Sequence, residues 1–98
     1  MTNQSHHILS LSKKVLAKSG TNVLVASDCK QLKEFISLKT KHYISEISLQ
    51  RLYGFIPAKF SPSFYTLDVL SKYCGFEDWK AYCENEDKVM VIKLSNQS

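Results

Sequence analysis

Residues 44–55 read Ile44-Ser45-Glu46-Ile47-Ser48-Leu49-Gln50-Arg51-Leu52-Tyr53-Gly54-Phe55, and the way this stretch folds sets the rest of the chain. Ile44 before Ser45 is a hydrophobic residue ahead of a serine N-cap. Leu49 and Leu52 share one helical face, and Gly54 is the residue type that ends a helix. The spacing predicts a helix over 45–53 with Leu49 and Leu52 turned inward. Ser45, Glu46, Ser48, Gln50 and Arg51 are then left outside, with Ile47 at the boundary.

Toward the N-terminus, Asp28 with Gln31 forms a capping-box pattern ahead of a helix over 28–39, whose inward stripe is Leu32, Phe35 and Ile36. Residues 40–43 carry no periodicity and form the turn. Ile8, Leu11, Val15 and Leu16 recur at helical spacing over 5–18, Lys13, Lys14 and Lys18 lie toward that helix's C-terminal end, and Gly20 follows as a stop. Residues 21–26 give a short β-branched run that reads equally as a strand or a buried connection.

Toward the C-terminus, Ser61-Pro62-Ser63 is a serine cap with proline at the first helical position. The helix it starts carries Leu67, Leu70 and Cys74, with Tyr73 beside them, and ends at Gly75-Phe76. A short helix over 77–84 follows with Trp79, Tyr82 and Cys83, and the acidic run 84–87 ends it. Within 88–94, Val89 to Leu94 is β-prone and apolar on consecutive positions, which predicts a short β-strand that pairs with 23–26 or makes a dimer contact with a second chain. The fold class is therefore mostly α: one domain over 1–98, a compact bundle of about five short helices, with a short C-terminal strand.

Ninety-eight residues hold a single core. With 44% hydrophobic and 22% charged residues the composition is that of a globular domain rather than a disordered or membrane chain. No apolar stretch approaches spanning length and residues 1–7 are polar, which places the protein in the cytoplasm. The three cysteines, Cys29, Cys74 and Cys83, show no pairing pattern and fall on core faces, where thiols are inert. No close-spaced Cys or His pairs offer a metal site, and each glycine sits at a helix end rather than in a phosphate loop. We therefore expect neither cofactor nor metal nor catalysis.

Binding is the remaining class. A capped helix, a turn, a short helix with a polar outer face and a supporting helix behind it is the organisation of a helix-turn-helix unit. Gln and Arg can make paired hydrogen bonds to adenine and guanine edges, while serine hydroxyls and lysines can hold phosphates. The competing description of the same residues is a solvated helix face. The net charge of +4 is uneven: nine Lys and Arg against three acids in residues 1–60, and four against six in 61–98. Lys39, Lys41, Arg51 and Lys59 flank the turn and the short helix, and four cations on one phosphate track would give a slope of roughly −3.6 for log affinity against log salt.

The stretch 44–55, followed by Ser63-Phe64-Tyr65-Thr66-Leu67-Asp68-Val69-Leu70 and Tyr73-Cys74-Gly75-Phe76-Glu77-Asp78-Trp79, resembles a bacterial helix-turn-helix domain, more distantly similar to the lambda-repressor and Cro-like family. The resemblance covers about 28–83. It implies a small repressor-like transcriptional regulator whose helix 45–53 enters the major groove of duplex DNA. It puts Glu46, Ile47, Gln50 and Arg51 where such helices present base-contacting side chains. The phosphate-contacting candidates beside them are Ser45, Ser48, Lys39, Lys41 and Lys59. Counting back from Leu49 and Leu52 puts Lys39 and Tyr43 where the motif usually has a small residue and a glycine, which predicts a longer or differently shaped turn. Two half-sites imply a homodimer. The alternative is a non-catalytic protein-interaction module on the same fold, using the aromatics around 55–65. If Arg51 pairs with a guanine, Arg51→Ala weakens binding to the selected site by about 1–3 kcal/mol in a gel-shift titration; an unchanged titration removes Arg51 from that role.

Overall fold

The structure is a computed structural model and describes residues 4–59 and 61–95, with side chains over 5–59 and 61–89. Among the described residues there are five helices and no strand: α1 (Gln4–Ser19), α2 (Asp28–Thr40), α3 (Glu46–Leu52), α4 (Phe64–Tyr73) and α5 (Trp79–Ser95).

Helix α4 is the centre. Thr66, Leu67, Val69, Leu70, Ser71 and Tyr73 are all buried, positions that run round the helix rather than along one stripe. It packs against α1, α2 and α5. The expected stripe of Leu67, Leu70 and Cys74 is thus only part of the buried surface, and Cys74 is half-buried. The buried serine and threonine are satisfied internally: Ser71 Oγ donates to the Leu67 carbonyl at 2.7 Å and Thr66 Oγ1 pairs with Ser63 Oγ at 3.1 Å.

The helix starts follow local chemistry, with two revisions. Ser63, not Ser61, caps α4: its side chain accepts from the Thr66 amide, because the hydroxyl must sit three residues ahead of the amide it receives. Asp28 is not an N-cap but the first residue of α2. Its carboxylate turns back to accept the amides of Leu24 and Val25 at 2.9 and 3.1 Å. Those two amides are the ones a partner strand would have taken, so 21–27 remains an irregular connection with Leu24 79% exposed. The buried stripe of α2 is Cys29, Leu32 and Ile36, and Phe35 lies at the surface.

Two helices end in the same way. Gly54 has φ +81° and Gly75 φ +96°, left-handed values that glycine adopts without steric cost. In each case the next residue's amide reaches back to the helix, Phe55 to the Gln50 carbonyl at 2.8 Å and Phe76 to Ser71 at 2.9 Å. The phenylalanine then packs on the core, a Schellman ending with its hydrophobic contact.

Residues 88–94 are not a strand. They continue α5 as helix to Ser95, so the expected pairing with 23–26 is absent. A run apolar at consecutive positions does not distinguish strand from buried helix, and here the preceding acidic run is helical too. Glu86 pairs with Lys14, and Asp87 accepts from the buried His7 ring at 2.9 Å, so the acids expected to end the helix instead hold it against α1. Burial opposes ionisation of Glu86, yet the hydrogen bond and charge of Lys14 prevail and hold its carboxyl below the usual range. Tyr82, fully buried, lies stacked on Trp79 and edge-on to Phe76, with its hydroxyl 2.7 Å from Ser10 Oγ.

The α5 start has two carboxylate caps: Asp68, from α4, accepts the Trp79 amide at 2.8 Å, and Asp78 accepts the Ala81 amide at 2.8 Å. Asp68→Ala should destabilise the fold by about 1–2 kcal/mol, lowering the melting temperature by roughly 4–8 °C per kcal/mol. Thermal unfolding followed by circular dichroism checks this, and a melt within 1–2 °C of the parent on that scale would mean the cross-helix cap contributes nothing.

Candidate nucleic-acid interface

Helix α3 begins at an N-cap with extended backbone, Ser45, whose side chain accepts the Ser48 amide at 3.1 Å. Ile44 before it and Leu49 within it are buried, at 2% and 0% exposure, so the helix is pinned at its start and middle. It packs on α2 through a connection of five residues, 41–45. Lys41 opens that connection in the left-handed region, φ +62°, with its amide on the Ser37 carbonyl. A lysine thus stands where glycine is the easier choice, and the turn is longer than the usual three or four residues.

The outer surface of α3 has three sides. Ser48, Arg51 and Leu52, spaced i, i+3 and i+4, line a cleft toward α1 and residues 57–59 and 61–63. Glu46 and Gln50, one turn apart, form the side toward Ala26. The Gln50 amide donates to the Glu46 carboxylate at 3.2 Å and to the Ala26 carbonyl at 3.3 Å. Ile47 lies between them, 52% exposed. Of the four base-contacting candidates, Ile47 and Arg51 are open to solvent, while Gln50 and Glu46 hold each other. An amide whose donors are both engaged cannot also offer the donor and acceptor pair that adenine requires.

The phosphate candidates divide similarly. Ser45 and Ser48 are hydrogen-bonded to each other at 2.8 Å as part of the cap. Lys41 is exposed at the turn, and Lys59 lines the cleft with Arg51. Lys39 goes elsewhere. Its ammonium sits 5.2 Å over the Tyr73 ring, and desolvation followed by the like charge of Lys18 pushes its pKa down. Together with Lys14 and Lys18, which line a small groove beside Cys74, it belongs to a second cationic patch. The i, i+4 spacing of Lys14 and Lys18 on α1 was the only sequence signal for that patch.

Three aromatics, in the turn before α3 and at the start of α4, are exposed. Tyr43 is 67%, Phe64 69% and Tyr65 53% exposed, and the Tyr65 hydroxyl donates to the Tyr43 carbonyl at 2.7 Å. Tyr53 and Phe55 instead pack on the core, and Tyr53 donates to the Ser12 carbonyl at 2.8 Å.

The thiols are held protonated. Burial raises Cys29, with Glu46 and Asp28 adding to it; burial raises Cys74 against the opposing charges of Lys14, Lys18 and Lys39; and burial raises Cys83, with Asp87 and Glu86 adding to it. Such thiols are weak nucleophiles. Among the described residues no cluster of three or more His, Cys, Asp or Glu side chains could hold a metal ion, and no helix is long and apolar enough to cross a membrane.

With Lys39 turned away, three cations remain for a phosphate track at α3, and the salt slope becomes roughly −2.7. Lys59→Gln should lower the slope by about 0.9 and Lys39→Gln should leave it unchanged, both read from fluorescence-anisotropy titrations on random duplex at several salt concentrations. Equal effects of the two substitutions would contradict this division. Comparison with protein-family models, with curated proteins and with solved structures returns no match, so the likeness to a helix-turn-helix domain rests on the residues of 44–79 themselves.

Proposed function

We propose that this chain binds duplex DNA as a small transcriptional regulator, with α3 laid in the major groove and two copies engaging two half-sites. The observation that carries the reading is the state of α3: capped, fixed to the core through Leu49, and presenting Ile47 and Arg51 to solvent, with Lys59 lining the cleft beside Arg51 and Lys41 exposed in the turn before the helix. Arg51 can pair with a guanine edge and Ile47 can pack on a thymine methyl group, the apolar contact available in the major groove. Glu46 and Gln50, tied to each other, orient the helix against residue 26 instead of reading bases. A dimer formed by strand pairing at 89–94 is not available, because that segment is helical, and a contact between two copies there would be made by α5. No catalysis is proposed.

A second reading, a protein-interaction module, is favoured by one observation: Tyr43 and Tyr65, joined by a hydrogen bond, and Phe64 are exposed although aromatic residues ordinarily contribute to a core. The two readings differ in their dependence on ions. Phosphate neutralisation makes duplex affinity fall steeply with salt, whereas an aromatic protein interface is nearly indifferent to it.

Selection of duplex from a random pool, followed by titration at 50 and 200 mM salt on the scale used for such comparisons, tests the proposal. We expect a preferred sequence, a loss of affinity of roughly 40-fold between those salts for three phosphate contacts, and a loss of selectivity in Ile47→Ala at one base position. Failure to enrich any sequence, with salt-independent weak binding, would overturn the DNA reading.

A further inference from the structure

Beside α3 lies a cleft of about 780 Å³ walled by α3, residues 57–59 and 61–63, the start of α4 and Ile8 of α1, within the range of roughly 300–1,000 Å³ typical of small-molecule sites. Its lining is of two kinds. Arg51 and Lys59 bring two positive charges, and no Asp or Glu lines the cleft with them. Neither cation forms an ion pair among the described residues. Ile8, Leu52, Pro57, Ala58 and Pro62 supply apolar surface, and the two prolines restrict the loop before anything binds.

The hydroxyls of the cleft are not equivalent. Ser63 and Thr66 are engaged in the α4 cap. Ser48 Oγ accepts from Ser45, which leaves the Ser48 proton to be donated outward, and Ser61 is exposed. The cleft therefore presents donors and positive charge above an apolar floor. Two cations lining one cleft, with no Asp or Glu beside them among the described residues, favour an anion there. A bare phosphate, including one on the outside of a duplex, would satisfy the charges and leave the apolar floor uncovered.

We propose that this cleft is a binding site for a small organic anion. An acidic headgroup, phosphate or carboxylate, sits between Arg51 and Lys59 and takes the Ser48 hydroxyl proton, while a ring or short acyl body covers Leu52, Pro57 and Ile8. Guanidinium and ammonium donors to an anion form the stronger class of hydrogen bond. Because Arg51 also belongs to the duplex-facing side of α3, ligand and DNA compete for it; this last step rests on the DNA reading, and the site itself does not.

The test uses the full chain and three probes: 2-naphthyl phosphate, uncharged 2-naphthol and inorganic phosphate, titrated by calorimetry and by amide chemical-shift mapping. We expect 2-naphthyl phosphate to bind at least about ten-fold more tightly than either of the others, with shifts concentrated over 48–63. Arg51→Gln and Lys59→Gln should each weaken it about ten-fold, the scale of one charge-assisted hydrogen bond, while Lys80→Gln on α5 leaves it unchanged. Equal binding of 2-naphthol would show an apolar site indifferent to charge, and equal binding of inorganic phosphate would show an anion site without a use for the floor; either overturns the proposal, as does shift mapping elsewhere. Addition of 2-naphthyl phosphate to the duplex complex should lower duplex affinity, and unchanged affinity would overturn the sharing of Arg51. A chain that takes the probe but binds no duplex would leave the cleft standing and remove the DNA reading alone.

Discussion

Helix α4 is buried round most of its circumference, and the carboxylate of its less buried residue, Asp68, accepts the first amide of α5. Helices α1, α2 and α5 pack on this one element. A chain of this length has little surface to bury, so surrounding one helix with the others makes economical use of it. The cost is that polar groups on the central helix are taken from water. Ser71 and Thr66 therefore bond within their own turn or to the cap, as buried hydroxyls ordinarily must. The position of α3 follows from the same constraint. It docks on α2, which docks on α4, and its own burial is limited to Leu49 and the residues around it.

The elements that could be read from sequence are those decided by short-range chemistry. Ser45 caps α3 because its hydroxyl sits three residues before the Ser48 amide, and Gly54 and Gly75 end helices because left-handed backbone favours glycine. All of these depend on neighbours within five residues. Assignments that depended on distant partners went differently. Asp28 has the identity and spacing of an N-cap, but the free amides of Leu24 and Val25 claim its carboxylate. Residues 84–94 were divided into a helix stop and a strand, whereas Lys14 and His7, more than seventy residues away, give the acidic side chains a reason to remain on one continuous helix. A local pattern contains no information about such contacts.

The candidate site shows the same division. Helical periodicity put Arg51 on the outside of α3 and Leu49 on the inside, as the structure has them, whereas Ile47, read at the boundary, is 52% exposed and Leu52, read as inward, is half-buried and lines the cleft. It could not show that Gln50 would be held by Ala26, twenty-four residues earlier, or that Lys39 would turn toward Tyr73 and Lys18. The basic excess in residues 1–60 is thus two patches, one around Arg51 and Lys59 and one around Lys14, Lys18 and Lys39. Summing charges along a sequence treats them as one field, but at physiological ionic strength exposed charges more than about 8 Å apart are largely screened from each other.

The partition has a consequence for regulation. On the two proposals, the cleft and the duplex-facing side of α3 share Arg51. Arg51 is exposed and lines the cleft, and a guanidinium can satisfy only one anion bidentately at a time. Coupling then needs no conformational change in the fold, since occupancy of one site removes a donor from the other, and linkage makes the antagonism mutual. Its size is bounded by what Arg51 contributes to each complex, on the order of 1–3 kcal/mol, which is enough to shift occupancy of a DNA site by roughly ten-fold or more. Helix α3 can remain rigid on its core contacts while its one long, flexible side chain carries the exchange.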